Sequence, residues 1–161
     1  MVNSIQQLYQ EIVRKLKLAQ FEHSDVTALF IIEFIYSKKY LILVSESIRV
    51  TKDKKDEIMN VLDQYMSGIP LAYIFNEASF RNNQYFVSEG VLIPRPETEE
   101  MVDYLIEIIH KLIFYDSSMA VFELGLGSGV ISLELAQEFP KTSFFGSDIS
   151  KVAFNVALQN K

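Results

Sequence analysis

The sequence has no cysteine, no long apolar run and no excess of basic residues, and each absence excludes a class of protein. Without cysteine there are no disulfides and no thiolate metal sites, and nothing favours secretion. The polar N-terminus has no signal-peptide pattern, so we expect a cytoplasmic location. The longest apolar stretch, residues 28–35, is interrupted by Glu33. It is far shorter than the roughly 20 residues that a helix needs to cross a bilayer.

The net charge and the histidine content limit the classes of molecule and metal ion that we expect the protein to bind. The formal net charge is -6 at pH 7, and the lysines and arginines are scattered along the chain. Because a phosphate backbone is normally met by a clustered basic face, this pattern argues against nucleic acid and favours a protein or a small molecule. The two histidines, His23 and His110, have no cluster of ligand-type residues around them, so we expect no metal site.

The first 67 residues have the spacing of a small helical bundle. Residues 4–19 place apolar side chains at three- and four-residue steps behind the capping residue Ser4. A second helix is predicted from residue 24 or 25, a helical turn at residues 40–43, and a further helix over residues 53–67. We expect the second helix to bury Val26, Leu29, Phe30 and Phe34.

The rest of the chain alternates strands and helices. Residues 78–92 predict a β-hairpin, and a long helix is predicted to begin near Pro96. Apolar strands at residues 119–124 and 143–145 flank a helix at residues 129–138. Because apolar strands that alternate with helices are typical of parallel sheets, we predict an α/β fold.

The most informative local feature is a glycine turn at residues 125–129, between the first of these strands and its helix. Asp148 lies at the end of the next strand. Glycine lets backbone approach a ligand where a Cβ would collide, and an acid at the next strand end can accept both hydroxyls of a ribose. We therefore predict a site for a nucleoside-bearing cofactor, with a purely structural turn as the alternative.

The spacing of small residues in the turn distinguishes between the candidate cofactors. Val130 stands where nicotinamide and flavin sites need a third small residue, and no Lys-Ser or Lys-Thr follows as in a phosphate-binding loop. Glu123 lies two residues before Gly125. A carboxylate there suits a ligand with positive charge, such as the sulfonium and ammonium groups of S-adenosylmethionine. The alternative for Glu123 is a strand-end acid with a structural partner.

Just upstream of this turn lies Pro94-Arg95-Pro96-Glu97-Thr98-Glu99, and with it the chain resembles the HemK/PrmC family of peptide chain release factor N5-glutamine methyltransferases. The resemblance also includes residues 68–74, 80–87 and 91–93, the glycine turn, and Asp148 with Ser150. It implies an N-terminal helical bundle over residues 1–75 that helps to recognise the release factor. A β-hairpin linker over residues 76–95 and the start of a Rossmann-like class I methyltransferase domain over residues 96–161 would follow.

The resemblance also implies roles for residues. Gly125, Leu126, Gly127, Ser128 and Gly129 would line S-adenosylmethionine, and Asp148 would hold its ribose hydroxyls. The implied reaction is methylation of the glutamine side-chain amide in the Gly-Gly-Gln loop of a release factor. The implied parent protein is a cytoplasmic monomer that binds neither nucleic acid nor membrane.

The family orients the glutamine amide with an Asn-Pro-Pro-Tyr motif, and the 161 residues contain no such motif. No catalytic residue is therefore assigned, and we expect an incomplete methyltransferase domain without turnover. The apolar faces of the helices at residues 129–138 and 150–160 are expected to lack most of their partners.

Leu126 stands where the family usually has Thr or Cys, and we expect its backbone N–H to stay available to the cofactor. Arg95 is expected either to pair with Glu97 or Glu99 or to form a wall of the substrate pocket. Two other functions stay open: a nucleic-acid amino-methyltransferase with a similar glycine loop, and a non-catalytic module that binds release factor.

Overall fold

The computed structural model describes residues 4–115 and 119–161, and the chain divides after Ile74 into two compact units. The first unit contains α1 (Ile5–Leu18), α2 (Ser24–Tyr36), α3 (Tyr40–Ser45) and α4 (Lys52–Met66), and α5 (Leu71–Phe75) spans the division. The second contains β1 (Glu77–Phe80), β2 (Asn83–Phe86), α6 (Pro96–Tyr115), β3 (Ala120–Leu124), α7 (Val130–Glu138), β4 (Ser143–Ser147) and α8 (Lys151–Asn160). Within the described residues, no helix is both long and apolar enough to span a membrane.

The helices of the first unit begin at side chains that satisfy free backbone donors. Ser4 Oγ accepts a hydrogen bond from the Gln7 N–H, and Thr51 Oγ1 accepts one from the Lys54 N–H. Such caps each contribute about 1 kcal/mol to helix stability. The predicted helices at residues 4–19 and 53–67 are confirmed within one residue at each end. The fully buried side chains between the helices include Ile5, Leu8, Ile12, Leu16, Ile31, Ile32, Leu43, Ile58 and Leu62.

The predicted buried face of α2 is wrong. Val26 is 65% exposed and Phe30 is 47% exposed, whereas the helix buries Ser24, Thr27, Ala28, Ile31 and Ile32. The helix is apolar on nearly every side, so its sequence has little directional pattern to show which side meets the neighbouring helices. Packing against α1 and α4 decides the face instead.

The hairpin contributes to the core of the second unit. Strands β1 and β2 pair antiparallel, with Ala78 opposite Tyr85. Phe80 and Tyr85 are buried in one apolar cluster with Val102 of α6 and Leu135 of α7. The predicted hairpin is thus confirmed, and by its contacts it belongs to the second unit. Its assignment as a linker between functional domains stays a prediction, because compactness does not show which segment recognises a substrate.

Strands β3 and β4 pair parallel, as predicted, and α7 connects them. One face of this pair is covered, since Val121 and Phe144 pack into the core of the unit. On the other face Phe122 is 70% exposed and Leu124 is 86% exposed, and the ring of Phe122 stacks on Phe145 at 4.9 Å. This fold is a mixture of helices and two small sheets.

The helices that follow β3 and β4 have more partners than expected. Helix α7 buries Val130 and Leu135, and α8 buries Ala153, Val156 and Ala157. The expectation that both apolar faces would lack most of their partners is wrong for α7, but it holds in part for α8, where Val152, Phe154 and Leu158 are exposed.

Candidate cofactor site

The glycine loop, residues 125–129, is held in shape by hydrogen bonds from its own amides. The N–H groups of Gly125 and Leu126 both donate to the Ser147 carbonyl, at 2.9 and 3.0 Å, and the Gly129 N–H donates to the Leu126 carbonyl at 2.8 Å. The loop follows β3, and Ser147 ends the neighbouring parallel strand. The loop therefore has a defined conformation without any ligand.

Asp148 contacts this loop directly. Its Oδ2 accepts the Gly127 N–H at 2.8 Å, and its Oδ1 accepts the Ser150 N–H at 2.8 Å. These backbone donors, the Gly127 N–H first among them, hold the pKa of the Asp148 carboxyl below its usual range. Asp148 is therefore a carboxylate at neutral pH, at the same strand edge as the glycine loop.

The glycines of the loop serve different purposes. Gly129 has φ +82°, and a Cβ there would lie 3.1 Å from the Ala157 Cβ, so this glycine lets α8 pack against the loop. At Gly125 and Gly127, which also have positive φ, a Cβ would meet nothing within 4 Å. Space beside these two residues is thus open to a ligand.

Two other candidates in the loop are engaged within the protein. The side chain of Leu126 covers Gly146 of β4, where a Cβ would lie 2.5 Å from a Leu126 methyl carbon. Because the Leu126 N–H donates to Ser147, the expectation that this N–H stays available is wrong. Ser128 is buried, and its carbonyl accepts a hydrogen bond from the Asn160 side chain at 2.9 Å.

Glu123 has a structural partner. Its Oε2 accepts hydrogen bonds from both the backbone N–H and the hydroxyl of Ser132 in α7, the first at 3.1 Å. Burial raises the pKa of the Glu123 carboxyl, and the bonds from Ser132 oppose that rise. In the described part of the chain no hydrogen bond reaches Oε1. The carboxyl thus connects β3 to α7, and among the residues described only its Oε2 receives a hydrogen bond.

An apolar cleft of about 530 Å³ lies between α7 and α8 over β4. Its lining includes Leu133, Phe144, Phe154 and Leu158 and excludes Asp148. The cleft also includes Leu126 and Gly129 of the glycine loop in its lining, whereas Gly125, Gly127 and Asp148 do not line it.

The remaining sequence candidates do not join the site. Arg95 is exposed and forms no ion pair with Glu97 or Glu99 among the described residues, and Glu99 accepts the Arg81 N–H instead. His110 packs against the Phe139 ring. Within residues 4–115 and 119–161, no three His, Asp or Glu side chains come together in a way that would hold a metal ion.

The chain is similar to several proteins that share one name. It is 34% identical over 146 residues to the release factor glutamine methyltransferase of Dictyoglomus turgidum, which is 91% of this chain and 50% of that relative. The enzymes of the same name from Flavobacterium psychrophilum and Bacillus subtilis are 30% identical over 143 residues and 38% identical over 99 residues. These matches cover 87% and 62% of this chain, and 50% and 34% of the relatives. No protein-family model matches the chain.

The chain belongs to the HemK/PrmC family of release factor glutamine methyltransferases. It spans about half the length of the Dictyoglomus and Flavobacterium relatives that it matches. The resemblance stated from the Pro94–Glu99 segment and the glycine loop is thereby confirmed.

Reasoning from family motifs missed Asn160, the last residue of α8. Its Oδ1 accepts the Phe86 N–H at 2.7 Å, and its Nδ2 donates to the carbonyls of Phe86 at 3.0 Å and Ser128 at 2.9 Å. The partners lie 74 and 32 residues away in the chain. No local pattern could have revealed these contacts.

Glu134 of α7 was also missed. This buried carboxylate accepts the Tyr85 hydroxyl at 2.6 Å and the Asn83 Nδ2 at 2.8 Å, and Arg81 Nε lies 3.2 Å from it. Burial, together with this bond to Glu134, raises the pKa of Tyr85. A charged residue between Leu133 and Leu135 is a sequence signal that could have been noticed. The cluster fixes the hairpin to the helix that follows the glycine loop.

Proposed function

We propose that the glycine loop and Asp148 bind S-adenosylmethionine, as part of a protein that methylates the glutamine amide in the Gly-Gly-Gln loop of release factors. The observation that carries the proposal is the hydrogen bond from Gly127 to Asp148, because it joins two separately predicted positions at one sheet edge. Ligands of open parallel α/β sheets bind at the carboxyl ends of the strands. The β3–α7–β4 unit supports a Rossmann-like domain in this respect.

The residues present suit this cofactor. Gly125 and Gly127 leave open space beside the backbone, and the ionised Asp148 is an acceptor for ribose hydroxyls. A carboxylate has about four acceptor positions, so the two bonds that Asp148 accepts leave capacity for hydroxyl donors. Glu123 adds a second carboxyl at the end of β3, which favours a cationic ligand. We assign cofactor contacts to residues 125–129 and to Asp148.

The chemistry divides between cofactor and protein. S-adenosylmethionine supplies an electrophilic methyl group on its sulfonium. The amide nitrogen of glutamine is a weak nucleophile because its lone pair is delocalised, so an enzyme must hold it close to that methyl group with fixed acceptors. The family uses Asn-Pro-Pro-Tyr for this task, and the 161 residues lack that motif. We therefore assign cofactor binding, but no amide-orienting role, to the residues of this chain.

The helical bundle is our proposed contact for the release factor, with a monomeric, cytoplasmic parent protein. A nucleic-acid amino-methyltransferase is disfavoured by the net charge of -6 and the scattered basic residues. A non-catalytic module that binds release factor is the second candidate, and it predicts capture of release factor without cofactor binding.

Isothermal titration calorimetry of this chain with S-adenosylmethionine tests the proposal, with NAD and ATP as control ligands. We expect binding of S-adenosylmethionine alone. Binding of neither S-adenosylmethionine nor its demethylated product would overturn the cofactor assignment. A pull-down with release factor, run beside a methylation assay, separates the candidates. Capture without methyl transfer and without cofactor binding would favour the docking module.

A further inference from the structure

The side-chain amide of Asn160 lies between strand β2 of the hairpin and the glycine loop. Its Oδ1 and Nδ2 pair with the N–H and carbonyl of Phe86, and Nδ2 also donates to the Ser128 carbonyl. The three partners fix the orientation of the amide group, because Phe86 N–H needs an acceptor and the two carbonyls need donors. An aspartate in this position cannot satisfy all three when it is ionised.

The contact with Ser128 controls the plane of one peptide in the loop. Since the peptide unit is planar, the Ser128 carbonyl and the Gly129 N–H turn together. That N–H donates to the Leu126 carbonyl at 2.8 Å, which closes the loop before α7. Asn160 therefore acts on the loop from the α8 side, while Ser147 and Asp148 hold it from the β4 side.

We propose that Asn160 is a positioning residue that keeps the glycine loop in the shape that accepts the cofactor, and that it connects this loop to the hairpin. The inference rests on the proposed binding of S-adenosylmethionine for its functional consequence. The loop geometry itself can be tested without ligand. Asn160 touches no reacting group, so its effect is carried through the Ser128–Gly129 peptide.

The first test is made on the ligand-free chain by NMR and hydrogen exchange. In the wild type we expect protected Asn160 side-chain amide protons with contacts to Phe86 and Ser128. In Asn160→Asp we expect a shifted Ser128 carbonyl resonance and about 10-fold faster amide exchange at Gly129. Asn155→Asp is the matched control, because Asn155 is exposed on the same helix and the same carboxyl is introduced. Freely exchanging Asn160 side-chain protons in the wild type would overturn the inference without any variant.

The second test is cofactor affinity as a function of pH. At pH 7.5 we expect Asn160→Asp to bind S-adenosylmethionine about 10-fold more weakly than the wild type. When the introduced carboxyl is protonated it can donate one hydrogen bond again, so the affinity of Asn160→Asp relative to the wild type should rise as the pH falls. The wild type and Asn155→Asp should show no such pH-dependent gain in affinity. A role in stability alone would lower the melting temperature and leave the affinity of the folded variant unchanged, which would contradict the proposal.

The two tests separate two kinds of failure. If the wild type does not bind the cofactor, the proposed function is wrong. The NMR and exchange measurements on the loop still test whether Asn160 positions it. If the wild type binds and Asn160→Asp keeps wild-type loop resonances, exchange and affinity, the positioning role is wrong. Should Asn160→Asp fail to fold, Asn160→Ala replaces it in the loop measurements and in the affinity measurement at pH 7.5, without an expected recovery at lower pH. The wild-type exchange experiment decides independently of both variants.

Discussion

The backbone N–H of Gly127 donates a 2.8 Å hydrogen bond to Oδ2 of Asp148. This bond joins the loop after β3 to the residue after β4, across the edge where both parallel strands end. It gives Asp148 two tasks, because the carboxylate that we assign to the ribose also holds the loop that we assign to the rest of the cofactor. Changes at either residue should therefore affect both loop order and ligand affinity.

Replacing Asp148 with alanine should weaken binding of S-adenosylmethionine by about 10- to 150-fold, the usual effect of losing a charge-assisted hydrogen bond. Loss of the acceptor for Gly127 N–H should also speed amide exchange at Gly127. Calorimetry and hydrogen exchange measure the two effects. Asp63→Ala, at an exposed position in α4, is the control. An unchanged affinity would remove the ribose role from Asp148.

Replacing Glu123 with glutamine should stabilise the chain at pH 7. Burial raises the pKa of this carboxyl, so the folded state binds its proton more tightly than the unfolded state does. Ionisation of Glu123 therefore lowers the free energy of unfolding. This loss is absent below the ordinary carboxyl pKa of about 4.3, and it grows as the pH rises through the raised pKa of Glu123 in the folded state. Thermal unfolding of the wild type between pH 4.5 and pH 7 should show this loss, and Glu123→Gln should show a flatter profile.

The same variant tests the charge of the site. Glutamine can still accept hydrogen bonds from Ser132, while it offers no negative charge to a cationic ligand. We expect Glu123→Gln to bind S-adenosylmethionine more weakly than the wild type despite its greater stability. Equal affinity of the two proteins would mean that Glu123 serves only to tie β3 to α7.

Replacing Gly129 with alanine should cost about 1–3 kcal/mol of stability from backbone strain, since φ is +82°. The new Cβ would also press on Ala157 at 3.1 Å, which adds to the cost. Gly68→Ala is the matched control, because φ there is +102° and a Cβ would meet nothing within 4 Å. Urea unfolding should show a larger loss at Gly129 than at Gly68. Equal losses would mean that close packing of α8 contributes nothing.

Replacing Glu134 with alanine should destabilise the second unit by about 1–3 kcal/mol, because the buried Tyr85 hydroxyl loses its acceptor and the half-buried Asn83 keeps only Gln137. Arg81 keeps a second partner in Asp103, so its charge is not left unpaired. The fluorescence or circular dichroism of chemical unfolding measures the loss. Glu107→Ala, at an exposed position in α6, should have little effect, and a similar loss there would contradict the role of the buried cluster.

Local sequence determined most of the elements of this protein. Regular apolar spacing and the caps at Ser4 and Thr51 determine α1 and α4, because the groups involved lie within four residues of one another. Sequence also predicted that the glycine loop and Asp148 share a site, since the carboxyl ends of neighbouring parallel strands meet at one edge. These features follow from short-range geometry and from one topological rule.

Only the tertiary structure decided which side of α2 is buried. It also decided that the Leu126 N–H donates to the Ser147 carbonyl and that the Asn160 side chain donates to the Ser128 carbonyl. The sequence of an almost wholly apolar helix has no amphipathic pattern that indicates its buried side. The buried side is therefore determined only by the helices that pack against it. The carbonyls that Leu126 and Asn160 meet belong to residues 21 and 32 positions away. Hydrogen bonds between such distant residues form only once the chain has folded, and they leave no periodic trace in the sequence.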